Sequence, residues 1–166
     1  MAWLPLLFAV LLLSACGSAP KRGATPAAGG VQVVDVAPAD PIRANDVLMR
    51  ALGLVGTPYR YGGNTPSGGF DCSGLVGYVF LDAARVYLPR TTGEIARYKA
   101  SVPPRDRLAP GDLVLFGDKG AVFHVGIYVG EGRFVHAPST GGTVRLDRLD
   151  GPYWSRHYAG ARRILD

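Results

Sequence analysis

The chain has 166 residues, with 18 Lys and Arg against 13 Asp and Glu for a formal charge of +5, and only two cysteines and three histidines. That length accommodates one domain with an adequate core and leaves no room for a separate recognition domain. The basic excess is modest and scattered, so it gives no ground for a nucleic-acid partner.

Met1 to Leu13 is almost wholly apolar, and Leu13-Ser14-Ala15-Cys16 sets small residues before a cysteine, the pattern of a secretory signal peptide with its cleavage site. The segment is short for a bilayer span and polar residues follow at once, so removal is expected rather than retention as an anchor. The Leu-Ser-Ala-Cys run resembles the lipobox of bacterial lipoproteins. That resemblance implies cleavage before Cys16, a lipid on its sulfur and, because Gly17 rather than aspartate follows, sorting to the outer membrane with the chain facing the periplasm. One departure is the missing basic residue between Met1 and Trp3. An acylated Cys16 cannot pair with Cys72, which leaves Cys72 a free thiol in an oxidising compartment. The expected organisation is a signal peptide at 1–15, a lipidated cysteine and tether at 16–40, and a globular domain at 41–166.

From Gly17 to Gly30 nearly every residue is Gly, Ala, Ser, Pro or Thr. Such a stretch buries no core and reads as a leash with an end-to-end distance of roughly 25–30 Å by Asp40.

The first helix is expected at Pro41, with Asp40 as N-cap, an apolar face of Ala44, Val47, Leu48, Ala51, Leu52 and Val55, and a stop at Gly56 and Pro58. A glycine-rich loop around Tyr59-Arg60-Tyr61-Gly62-Gly63 and Thr65 to Gly69 follows. Cys72 then opens a second helix capped by Asp71, whose Gly74 and Gly77 are poor helix formers and are read as a face lying close against a sheet. A short third helix is expected from about Thr92 to Ala100.

After Pro110-Gly111 the pattern changes to a period of two. Strands are expected at Asp112 to Phe116, Val122 to Val129, Arg133 to Ala137, Thr143 to Leu146 and Ala159 to Leu165. Helices followed by an antiparallel sheet argue for an α+β fold rather than a wound parallel one.

The hairpin around Gly130-Glu131-Gly132 sets a geometric expectation. With those three residues as the loop, Val129 pairs with Arg133 and Gly126 lies opposite His136, with His124 one diagonal step away on the same face. An even-numbered loop sends the histidines to opposite faces. Gly126 leaves space beside His136 on this reading, and Phe123, Val125, Ile127 and Val129 point toward the core.

A thiol at a helix N-terminus feels the positive end of the dipole, which lowers its pKa and favours the attacking thiolate. His124 can pair with that thiolate and later protonate a leaving amine, and His136 can fix its tautomer. Spacing alone is a weak signal, and plainer readings stand beside it. A lone Cys before Leu and Val is often a small buried hydrophobe, a histidine in an apolar strand is often a satisfied core residue, and His157 reads as structural or exposed. One thiol and two imidazoles without a nearby acidic motif give no metal site, and no cofactor is expected.

The ordered runs Tyr59-Arg60-Tyr61-Gly62-Gly63, Phe70 to Val76, Leu88-Pro89-Arg90-Thr91, Pro110 to Val114, His124 to Gly130 and Phe134-Val135-His136-Ala137 resemble the motif set of NlpC/P60 cysteine peptidases. Within that family the chain is most similar to small outer-membrane lipoprotein murein endopeptidases of the Spr/MepS type. The resemblance implies a papain-like fold and cleavage of peptide bonds in peptidoglycan stem peptides by a monomer. By motif, Cys72 is then the nucleophile, His124 the base and His136 the orienting residue. Tyr59 helps the oxyanion, while Asp71, Ser73 and Arg90 face substrate or, for Asp71 and Arg90, serve the fold. Ile95 departs from the family pattern, where glutamine is common. Two other classes stay open: a catalytically silent murein-binding lipoprotein, and an amidase or acyltransferase of the same superfamily.

Overall fold

The structure is a computed structural model that describes residues 36–139 and 142–166. The expected signal peptide, Cys16 and almost all of the tether lie outside the described residues.

Helix α1 (Pro41–Leu52) forms where its local signals put it. The Asp40 carboxylate accepts from the Arg43 N–H at 3.0 Å, and Ala44, Val47 and Ala51 are buried. Val55, assigned to the same face, lies beyond the helix end and is exposed. The expected glycine-rich loop contains a small antiparallel ladder, β1 (Asn64–Thr65) with β2 (Gly69–Phe70).

Helix α2 (Cys72–Ala84) starts at the cysteine, with the Asp71 carboxylate accepting from the Gly74 N–H at 2.8 Å. A Cβ at position 74 would stand 2.0 Å from the Gly63 carbonyl oxygen, so the helix start presses on the preceding loop and not on a sheet as expected. Gly77 faces open space, which also departs from that expectation. Helix α3 (Thr92–Ala96) is capped by the Thr91 hydroxyl and stops short of the expected Ala100.

The sheet comprises β3 (Leu113–Asp118), β4 (Ala121–Gly130), β5 (Arg133–His136), β6 (Arg145–Arg148) and β7 (Tyr158–Arg162), with a short helix α4 (Pro152–His157) before the last strand. Its order is β6-β5-β4-β3-β7 and every pair is antiparallel. Residues of one parity, Leu113, Leu115, Val125, Ile127 and Val135, pack with α1 and α2. The other parity, Val114, Phe116, Tyr128 and Phe134, forms a second cluster against which Trp154 of α4 packs. Helices on one face and a thin cover on the other make this an α+β domain, as expected.

The β4–β5 hairpin corrects its sequence reading and keeps the consequence. Gly130 pairs with Arg133, so the loop has the two residues Glu131 and Gly132, both at positive φ as a type I′ turn requires. An even loop alone would separate the histidines. A bulge between Tyr128 and Gly130 inserts one residue and restores the parity, so Ile127 faces Val135 and Tyr128 faces Phe134. The space expected beside Gly126 is absent, because a Cβ there would lie 2.6 Å from the Phe134 ring.

A second bulge lies at the other end of β4. Phe116 pairs with His124 while Gly117 pairs with Val122, leaving Phe123 unopposed. Phe123, expected in the core, is therefore turned outward and is exposed.

Candidate active site

An open cleft of about 520 Å³ lies over the start of α2, lined by Tyr59, Tyr61, Asp71, Cys72, Ser73, Arg90 and Phe123 among others. Of the site residues read from the sequence that fall among the described residues, all but the two histidines border it.

Cys72 is a free, half-buried thiol at the first position of α2. Burial pushes its pKa up and the Asp71 charge adds to this, while N–H groups of Val125, Ser73 and Cys72 itself pull it down without cancelling. The expected lowering by the helix N-terminus is thus overturned, since desolvation outweighs the amide dipoles. The Val125 N–H places the sulfur against the main chain of β4, one residue from His124. Among the described residues no hydrogen bond joins the Cys72 thiol to either imidazole.

The imidazoles themselves are brought together. His124 Nε2 stands 2.9 Å from His136 Nδ1, with the ring planes nearly perpendicular. Their exposures are 5% and 0%. Burial lowers the His124 pKa to about 3, with the neighbouring His136 charge adding to it. Burial likewise lowers His136 to about 4, against the upward pull of Asp147. Both rings are therefore neutral at neutral pH, and no resting imidazolium pairs with a thiolate.

Asp147 on β6 was not singled out in the sequence. Its Oδ2 lies 3.0 Å from His136 Nε2 and accepts from the Trp154 indole N–H at 2.8 Å and the Arg145 guanidinium at 3.1 Å. Burial raises this carboxyl, yet the hydrogen bonds from Arg145 and Trp154 and the His136 charge hold it below its ordinary value. Register explains its position: Asp147 pairs with Phe134 and His136 pairs with Arg145, so all four side chains share one face. The expected strand ended at Leu146, which left Asp147 out.

Asp71 is spoken for on every side. Besides capping α2 it accepts from the Gly62 N–H at 2.8 Å, from the Ser73 hydroxyl at 3.3 Å, and from both terminal nitrogens of Arg90 at 2.8 and 2.7 Å. Arg90 also donates to the Ser73 hydroxyl oxygen at 2.7 Å. Burial raises the Asp71 carboxyl, but the Arg90 and Gly74 hydrogen bonds outweigh it and hold the group ionised. Asp71, Ser73 and Arg90 thus form a closed polar floor to the cleft. The Tyr59 phenol is raised by burial and then by the Cys72 and Asp71 charges, which puts it within electrostatic reach of the thiol.

His157 donates from Nδ1–H to the Tyr153 carbonyl oxygen over 2.8 Å and lies edge-on to Phe123, apart from the other two histidines. Ile95 is fully buried, so its side chain serves the core. Among the described residues no group of three or more His, Cys, Asp or Glu is placed to hold a metal. No helix among them is long and apolar enough to cross a membrane.

Residues 56–163 match the NlpC/P60 family. The chain is 43% identical over 127 residues to Murein DD-endopeptidase MepH of Escherichia coli strain K12, covering 74% of this chain and 47% of that protein. It is 43% identical over 110 residues to Murein DD-endopeptidase MepS/Murein LD-carboxypeptidase of the same strain, covering 66% and 57%. The chain thus spans about half the length of these relatives. Among solved structures, an NlpC/P60 family protein from Bacillus cereus ATCC 10987 matches with a TM-score of 0.70 at 32% identity, over 74% of this chain and 40% of that one.

Proposed function

Because the chain belongs to the NlpC/P60 family through residues 56–163, we propose that its folded domain is a cysteine-type peptidoglycan hydrolase cutting peptide bonds in stem peptides or their cross-links. The observation that carries this reading is the half-buried thiol at the start of α2, set against β4 at Val125, the chain neighbour of His124, which in turn contacts His136. The two Escherichia coli relatives, both named as murein peptidases, support the substrate class.

In the proposed cycle the Cys72 sulfur attacks the scissile carbonyl carbon as its proton passes to His124 Nδ1, the ring nitrogen that His136 does not hold. Because both groups rest neutral, transfer accompanies attack and is not complete beforehand. The oxyanion meets main-chain N–H groups at the start of α2 and the Tyr59 hydroxyl. His124 then returns the proton to the leaving nitrogen as the C–N bond breaks, leaving a thioester on Cys72. Water, deprotonated by His124, attacks the thioester and releases the acid and the thiol.

The same reading includes a lipid on Cys16 and a tether, holding the domain to the outer membrane within reach of periplasmic murein. The test is direct: the full chain is incubated with purified disaccharide-peptide dimers and monomers, and the products are weighed by mass spectrometry. Products from cross-linked dimers or shortened stems support the hydrolase and assign the bond. Silence from the native chain on both substrates contradicts it.

A further inference from the structure

The geometry points to Asp147 as a positioning residue that selects the hydrogen-bond direction along the chain Asp147, His136, His124, and so leaves the His124 Nδ1 lone pair bare. This rests on the proposed role of His124 as base.

Two neutral imidazoles in contact have two arrangements. In one, His136 donates from Nε2 and accepts at Nδ1, and His124 donates from Nε2 and keeps Nδ1 free. In the other, His136 Nδ1–H donates to His124 Nε2, which forces the His124 proton onto Nδ1 and blocks that nitrogen as a base. The contact between His124 Nε2 and His136 Nδ1 at 2.9 Å fits both equally.

Asp147 breaks the tie. Its carboxylate accepts only, and its Oδ2 lies 3.0 Å from His136 Nε2. A bare nitrogen there would set two lone pairs against each other in a site where His136 is fully buried. His136 therefore donates from Nε2, and each later bond in the chain follows in direction. The carboxylate is itself fixed: Trp154 and Arg145 both donate to the same Oδ2. Trp154 also stacks on His124 and lies edge-on to His136, so one indole holds both rings and the carboxylate in register.

The closing experiment reads tautomers directly, without substrate. Long-range proton–nitrogen NMR on the uniformly 15N-labelled full chain near pH 7 separates protonated from bare ring nitrogens, with His157→Gln used to assign the third histidine. The wild type should show Nε2–H and bare Nδ1 for both His124 and His136. In Asp147→Ala the His124 pattern should move toward Nδ1–H, with kcat down about 10²-fold, the lower end of what general acid–base catalysis supplies, and KM within about twofold. Asp147→Asn should keep the pattern and recover part of kcat, because the Trp154 and Arg145 donors hold an amide oxygen toward His136. An Nδ1–H signal on His124 in the wild type, or an unchanged pattern and kcat in Asp147→Ala, overturns the inference. A correct pattern in a chain that cleaves no murein supports Asp147 and removes the hydrolase reading alone.

Discussion

Trp154 lies stacked on His124, with ring centroids 5.1 Å apart and planes inclined by 28°, while its indole N–H reaches Asp147. The two contacts separate by substitution. Trp154→Phe keeps an aromatic ring beside His124 but removes a hydrogen bond to an ionised carboxylate, worth about 1.5–3 kcal/mol. Urea unfolding should show a loss within that range, and muropeptide turnover should fall while KM stays near the wild-type value. Unchanged stability would mean that the indole N–H contributes nothing to holding Asp147.

The buried histidines make stability depend on pH in a defined direction. Below about 6.5 an unfolded histidine takes up a proton that folded His136 refuses until about 4 and folded His124 until about 3. The unfolded state then binds more protons, so folding stability falls as pH drops from 6.5 toward 3, by a few kcal/mol in order of magnitude. Unfolding midpoints measured at pH 7.5, 6 and 5 should decline in that order. Over the same interval, at temperatures where the chain stays folded, kcat/KM should show no inflection near 6.5. Such an inflection would mark a histidine titrating at its ordinary value.

A thiol whose pKa is raised by burial reacts slowly at neutral pH. Iodoacetamide labelling of Cys72 without substrate should climb as pH passes 9, with no plateau between 6 and 8. Full labelling at pH 6 would instead reveal a resting thiolate.

Two glycines on α2 provide an internal contrast. Gly74→Ala drives a Cβ to 2.0 Å from the Gly63 oxygen, and the loop that carries Tyr59 and Tyr61 has to move, at a cost of about 1–3 kcal/mol or more. Gly77→Ala meets nothing within 4 Å and should stabilise the helix by about 0.5–1 kcal/mol. Thermal unfolding of both variants checks the opposite signs.

What the sequence made legible was local. Asp40 and Asp71 announce helix starts because an N-cap acts on an amide three residues on, and both side chains do accept such a bond. Strand existence was readable from alternation, and the shared face of His124 and His136 followed from register. The route to that register was not readable. An even turn and a compensating bulge produce the same parity as an odd loop, and which occurs depends on cross-strand pairing. Deleting Val129 tests this: the bulge is lost while Gly130 still pairs with Arg133 and Tyr128 with Phe134, so His124 and His136 keep their shared face and activity should persist.

Longer-range features were silent for a physical reason. Helix α4 has six residues, no side-chain cap and no buried side chain, so it exists through the seating of Trp154 against Phe116 and Phe134. Asp147 gains its meaning only from pairing with Phe134 across two strands. The thiol's raised pKa likewise comes from burial, which the helix-start pattern around Cys72 does not encode.

The most direct test of the central claim is mass spectrometry of defined muropeptides after incubation with the native chain and with Cys72→Ala. The account predicts shortened or un-cross-linked peptides from the native chain, a trapped thioester mass on Cys72 after acid quench, and neither from the variant. Products of the same kind and rate from Cys72→Ala would contradict it.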